Sequence, residues 1–189
     1  AYTYPIHYLQ KYSDKTIDVV EIDETMTNIA EEEFGLNAND KRLKIYTQDG
    51  RSYLNYSENK YDTILIDAFK GLNAPFELTT YEALVHAKNM LNYNGIVLTN
   101  IISSLEGEDT DFIEYEYATY KAVFDDVKIF QVQDRDYTES QNLILVGIKG
   151  NPQINEDKYE EYKNYLNMEI TNFKTDKNIV TDDFAPIGN

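Results

Sequence analysis

Residues 17–24 read Ile17-Asp18-Val19-Val20-Glu21-Ile22-Asp23-Glu24. Four of the first six are β-branched aliphatics, which fit a packed, pleated surface, so the run predicts a buried strand over 17–22. Three acids, Glu21, Asp23 and Glu24, then crowd its end. Carboxylates at the exit of a buried strand need a reason, and the pattern of the remaining chain supplies one.

Outward from this run, strands and helices alternate. A helix is expected over 5–12. DETMTNIAEEEF (23–34) carries Met26, Ile29, Ala30 and Phe34 at helical spacing, and Gly35 supplies a stop. RLKIYTQ (42–48) and YDTILID (61–67) read as strands. TTYEALVHAKNMLN (79–92) reads as a helix opened by a threonine cap, with Leu84, Val85, Ala87 and Leu91 inward. Tyr93-Asn94-Gly95 turns the chain into a strand, IVLTNII (96–102). A helix over 109–124, strands over 126–133 and 142–148, and a tyrosine-striped helix over 156–170 complete the pattern.

Such alternation predicts an α/β fold, with helices on both faces of a mostly parallel sheet and strands buried on both sides. Strands 17–22, 43–48, 62–67 and 96–102 are expected to lie parallel in one sheet. No helix separates the last two strands, so they are expected to pair antiparallel across DRDYTESQ (134–141), with 142–148 at or near an edge. No repeat or linker breaks the 189 residues, and a single domain over 1–189 follows.

Composition narrows the function. Hydrophobic residues are 42% and charged residues 27%, an ordinary globular balance. The net charge of −17 disfavours nucleic acid and suits a cationic small molecule. There is no cysteine, and the two histidines, His7 and His86, are too far apart in sequence for a histidine metal site. No basic-then-apolar leader opens the chain and no apolar run reaches the ~18 residues of a membrane helix, so a cytoplasmic protein without membrane association is expected.

The acids now have a reading. Open parallel sheets bind ligands beyond the carboxyl ends of their strands. Three successive strands end there in an acid: Glu21 or Asp23, then Asp49, then Asp67. A carboxylate accepts paired hydrogen bonds from a ribose diol. Asp49 is placed to accept from an adenine amino group, with Gly50 letting the ring approach. Asp67 stands where the reacting end of a nucleoside ligand would lie.

The order of these blocks also carries a resemblance. DVVEIDE, TQDGRSYL, YDTILIDAF, APFELTTYEAL and NGIVLTNI, with the late TDDFAP (181–186), resemble the spermidine synthase family and its spermidine-synthase-like relatives. The likeness covers most of residues 1–149 and that tail. It implies a Rossmann-like class I methyltransferase fold. It implies an S-adenosyl-type co-substrate, decarboxylated S-adenosylmethionine in true spermidine synthases or S-adenosylmethionine in a methyltransferase, and no permanently bound cofactor. By position it gives Glu21, with Ile22 beside it, the ribose; Asp49 and Gly50 the adenine; and Asp67 the catalytic role toward a polyamine or other amine acceptor. It also implies a homo-oligomer.

Two departures shape the expectations. Family members open this domain with a strand and a glycine-rich loop, whereas this chain begins at AYTYP, so the first strand and an N-terminal β-domain are expected to be missing. Spermidine synthases also carry a second aspartate after the catalytic one. Here Asp67-Ala68-Phe69-Lys70-Gly71 places a lysine there, which would repel a diamine if it pointed inward, while Glu77 could supply charge from the same loop. Three readings follow: an aminopropyltransferase-like enzyme, a methyltransferase, or a non-catalytic nucleoside-binding or assembly module. His86 reads as an exposed or partly packed helix residue, and Glu31-Glu32-Glu33 as a solvated helix face. Tyr159, Tyr162 and Leu166 read as a helix face that docks on the sheet or on another subunit.

Overall fold

The computed structural model describes residues 2–68, 75–106, 110–134, 136–153 and 155–185. Lys70 and its neighbours Phe69 and Gly71 lie outside the described residues. The chain divides into two compact units, 1–56 and 57–189.

The first unit runs α1 (Thr3–Lys11), β1 (Ile17–Glu21), α2 (Glu24–Glu33), β2 (Leu43–Thr47) and α3 (Gly50–Tyr56). β1 and β2 pair in parallel, with Ile17 opposite Leu43 and Glu21 opposite Thr47. Tyr2, Leu9, Ala30, Leu36 and Leu43 form the buried core, with Ile6, Ile17, Val19 and Ile45 packed against it. Arg42 joins the parts: its Nη1 donates to the carbonyls of Leu9 and Tyr12, 2.9 Å each, while Nε and Nη2 grip Asp40. α2 ends at Gly35, whose φ of 73° lies in the left-handed region that glycine adopts freely. Helix α3 was not expected from the sequence.

The second unit runs β3 (Tyr61–Ile66), a short 3₁₀ helix (Phe76–Leu78), α4 (Tyr81–Met90), β4 (Leu91–Ser103), α5 (Asp111–Val123), β5 (Asp126–Gln131), β6 (Gln141–Ile148) and α6 (Glu156–Leu166). Its sheet has the order β3-β4-β6-β5. β3 and β4 are parallel, and β6 runs antiparallel to both β4 and β5. The terminal antiparallel hairpin is therefore present, with β6 one strand in and β5 at the edge. The backbone N–H of Ile170 donates to Ile129 O at 2.8 Å, so the chain after α6 lies along that edge.

Two expectations need correction. The four parallel strands do not share one sheet: β1 pairs only with β2, and β3 only with β4, among the described strands. An apolar run reports burial and period but not which edge finds a partner, so the pattern could not place this break. Burial on both faces is also not found in β4. Val97, Thr99, Ile101 and Ser103 are buried, while Ile96, Leu98, Asn100 and Ile102 between them are only half-buried. The hydroxyls of Tyr120 and Thr99 bond to each other, which puts α5 on the buried face. Among the described residues no helix is long and apolar enough to cross a membrane.

Candidate active site

The acid-rich end of β1 resolves into separate jobs. Asp23 is the N-cap of α2: its Oδ1 accepts the Thr25 N–H at 2.9 Å, and this bond holds its carboxyl below the usual range. Asp23 is thus spent on the helix. Glu21 ends the strand proper, and its Oε1 accepts the Asp23 N–H at 3.0 Å. That bond orients the carboxylate and leaves Oε2 without a partner among the described residues. Ile22 is 69% exposed, an apolar side chain presented to solvent beside Glu21.

The end of β2 repeats the device. Asp49 Oδ1 accepts the Ser52 N–H at 2.8 Å in the first turn of α3, and Gly50 is that helix's first residue. The Gln48 N–H donates to Glu21 O at 3.1 Å, so the two strand exits are tied together. Glu21 and Asp49 consequently stand at the same end of one parallel pair, each with one carboxylate oxygen fixing a strand-to-helix turn.

In the second unit, exposed Asp67 follows β3 directly. Its Oδ1 accepts from Asn100 Nδ2 on the neighbouring β4 at 3.1 Å. Asn100 Oδ1 is buried with no hydrogen-bond partner among the described residues, which costs roughly 1–3 kcal/mol. Asn100 was not anticipated from the sequence, because its role depends on strand register: Ile66 is opposite Thr99, so the next pair in line is Asp67 and Asn100.

Sequence reasoning also missed a buried acid. Glu116 on α5 is fully buried. Burial pushes its carboxyl up to about 8, against the lowering effect of its bond to Thr79. Glu116 Oε1 lies 2.8 Å from Thr79 Oγ1, and Oε2 has no partner among the described residues. Thr79 Oγ1 also lies 3.3 Å from Phe76 O. A hydroxyl has one proton and serves one acceptor, so a neutral Glu116 supplies the second proton and satisfies both contacts. A signal was present: Ile113, Glu116 and Tyr120 share one helical stripe, and an acid on a buried stripe is unusual.

The acids thus stand at the carboxyl ends of parallel strands, the end at which open α/β sheets place their ligand crevices. The comparisons narrow this. The family model of the spermine/spermidine synthase domain matches residues 5–158. The chain is 30% identical over 147 residues to the polyamine aminopropyltransferase of Vibrio vulnificus, covering 76% of this chain and 46% of that protein. It superposes on a probable spermidine synthase from Corynebacterium glutamicum with a TM-score of 0.68 at 22% identity, covering 86% of this chain and 57% of the other. It superposes also on human Methyltransferase-like protein 13, solved in complex with SAH, with a TM-score of 0.65 at 23% identity, covering 86% and 74%. These likenesses establish the class I methyltransferase-like fold. The chain belongs to the spermine/spermidine synthase domain family. It spans about half the length of the V. vulnificus relative.

Proposed function

We propose that the protein transfers an aminopropyl group from decarboxylated S-adenosylmethionine to an amine acceptor of the putrescine type. The observation that carries this reading is the Asp67–Asn100 pair, with Asp67 directly after β3 and Asn100 within the neighbouring β4, in a chain of this family. The chemistry needs such a group. An amine nitrogen attacks a carbon activated by a neighbouring sulfonium; the carbon–sulfur bond breaks and methylthioadenosine leaves. An alkylamine with a pKa near ~10 must first lose a proton. Asp67, oriented by Asn100, accepts hydrogen bonds from the amine and draws that proton away.

The nucleoside half falls to Glu21 and Asp49. The unpartnered oxygen of Glu21 takes the ribose diol, with Ile22 beside it. Asp49 takes the adenine amino group, with Gly50 permitting close approach. No permanently bound cofactor is required, since the S-adenosyl compound is consumed. The same proposal includes action of residues 1–189 as a single functional domain, a cytoplasmic location, and assembly as a homo-oligomer with no nucleic-acid partner.

Lys70 in place of a second acid favours one other reading, a methyltransferase acting on a neutral or anionic acceptor. The test separates them. The full-length protein is incubated with decarboxylated S-adenosylmethionine and putrescine, and separately with S-adenosylmethionine and candidate acceptors. Amine-dependent methylthioadenosine supports aminopropyl transfer. S-adenosylhomocysteine assigns the protein to the methyltransferases, and neither product favours a non-catalytic nucleoside-binding role.

A further inference from the structure

Helix α5 carries three polar side chains on one buried face. Glu116, Thr119 and Tyr120 are all fully buried, and their spacing of three and four residues keeps them together. Each reaches a different segment. Glu116 meets Thr79 at 2.8 Å. Thr119 Oγ1 accepts the Val180 N–H at 2.9 Å and donates to Tyr115 O at 2.7 Å. Tyr120 OH bonds Thr99 Oγ1.

Two of these segments lead to the Asp67–Asn100 pair. Thr99 immediately precedes Asn100. Thr79 belongs to 75–82, the next described segment after Asp67 in sequence. The third segment reinforces the second: Val180 O accepts the Tyr81 N–H at 2.8 Å, Asp182 accepts from the Thr80 hydroxyl at 2.7 Å, and Glu82 accepts the Asp182 N–H at 3.0 Å. Residues 180–182 thereby hold Thr80, Tyr81 and Glu82. Thr79 and Thr80 are themselves fully buried.

Apolar residues of the same volume would fill this space without stranding a carboxyl oxygen. What polar groups add is direction, since each fixes one partner at one distance. We propose that Tyr120, through Thr99, and Glu116, through Thr79, are positioning residues: the first holds the part of β4 that carries Asn100, and the second holds the segment 75–82, in the geometry that receives the amine. The kinetic half of this inference rests on the aminopropyl-transfer reading; the structural half does not.

The test uses the full-length protein with Thr79→Val, Glu116→Leu, both together, and Glu116→Gln, which keeps a neutral side chain able to donate to Thr79. Peptide-level hydrogen exchange is read first. Exchange over 75–82 should rise about tenfold in Thr79→Val and Glu116→Leu, the effect of losing the Glu116–Thr79 bond. It should stay at the wild-type level in Glu116→Gln, and over 126–131 and 143–147 in every variant. The KM for the amine should rise about tenfold in the same two variants, with kcat and the affinity for methylthioadenosine within about twofold, and the double variant should be no worse than either single one. Unchanged exchange, a uniform rise across all peptides, or a local rise with no change in KM overturns the inference. Should Glu116→Leu fail to fold, the near-isosteric Thr79→Val decides alone. Should the wild type release no methylthioadenosine, the aminopropyl reading fails separately, and exchange still decides whether these residues hold the segment.

Discussion

Replacing Glu116 by glutamine should change how stability depends on pH. The carboxyl is fully buried, and burial moves it from 4.5 to about 8. Below pH 4.5 it is protonated in both folded and unfolded chains and favours neither. Between 4.5 and about 8 the unfolded chain releases the proton while the folded chain keeps it, so rising pH favours unfolding. Above about 8 both states are ionised and the loss is complete. At about 1.36 kcal/mol per pH unit, that span corresponds to about 5 kcal/mol at most. Glutamine carries no such proton. The stability of Glu116→Gln minus that of wild type should therefore climb between pH 5 and 8 and level off above. Urea unfolding of both proteins at pH 5, 6, 7, 8 and 9, followed by circular dichroism, measures the difference. A difference that stays constant over this range would show that Glu116 is already ionised at pH 5, and the reasoning from burial would be wrong.

Three further outcomes are expected. Glu21→Ala should weaken methylthioadenosine binding by roughly 1.5–3 kcal/mol, as loss of a charged acceptor does, whereas Asp23→Ala should leave that affinity unchanged because Asp23 caps α2; calorimetric titration of the two variants distinguishes them. Gly147→Ala should destabilise the fold by about 1–3 kcal/mol, because the added carbon would lie 2.6 Å from Phe124 Cγ; a chemical melt compared with wild type checks this. Asn100→Ala should lower kcat while leaving methylthioadenosine affinity intact, since it removes the Asp67 bond, and steady-state kinetics with calorimetry would show the split.

What could be read from the sequence follows from the range of the interactions. The strand-end positions of Glu21, Asp49 and Asp67 were legible because each follows or closes an apolar run. The β5–β6 hairpin was legible because no helical period intervenes between the strands. Helix α3, GRSYLNY, was missed: seven residues opening with glycine are too few to establish a period. The division into two sheets was illegible because edge pairing is set by backbone partners rather than by side-chain pattern. The partners of the site were harder still. Asn100 meets Asp67 across 33 residues, Thr79 meets Glu116 across 37, and Thr80 meets Asp182 across 102. TDDFAP stood out as a motif, but nothing local could say that its aspartate fastens a threonine near the start of α4.

The proposal that Asp67 carries the proton-transfer step is tested most directly by one comparison on the full-length protein: amine-dependent methylthioadenosine release by wild type and Asp67→Asn, with methylthioadenosine affinity measured on the same preparations. Asparagine keeps the shape and can still hydrogen-bond Asn100, but it cannot act as a base. Catalysis by a positioned base contributes roughly 10²–10⁴-fold, so kcat should fall by about that factor while affinity stays within about twofold. An Asp67→Asn protein that releases methylthioadenosine at the wild-type rate would contradict the account.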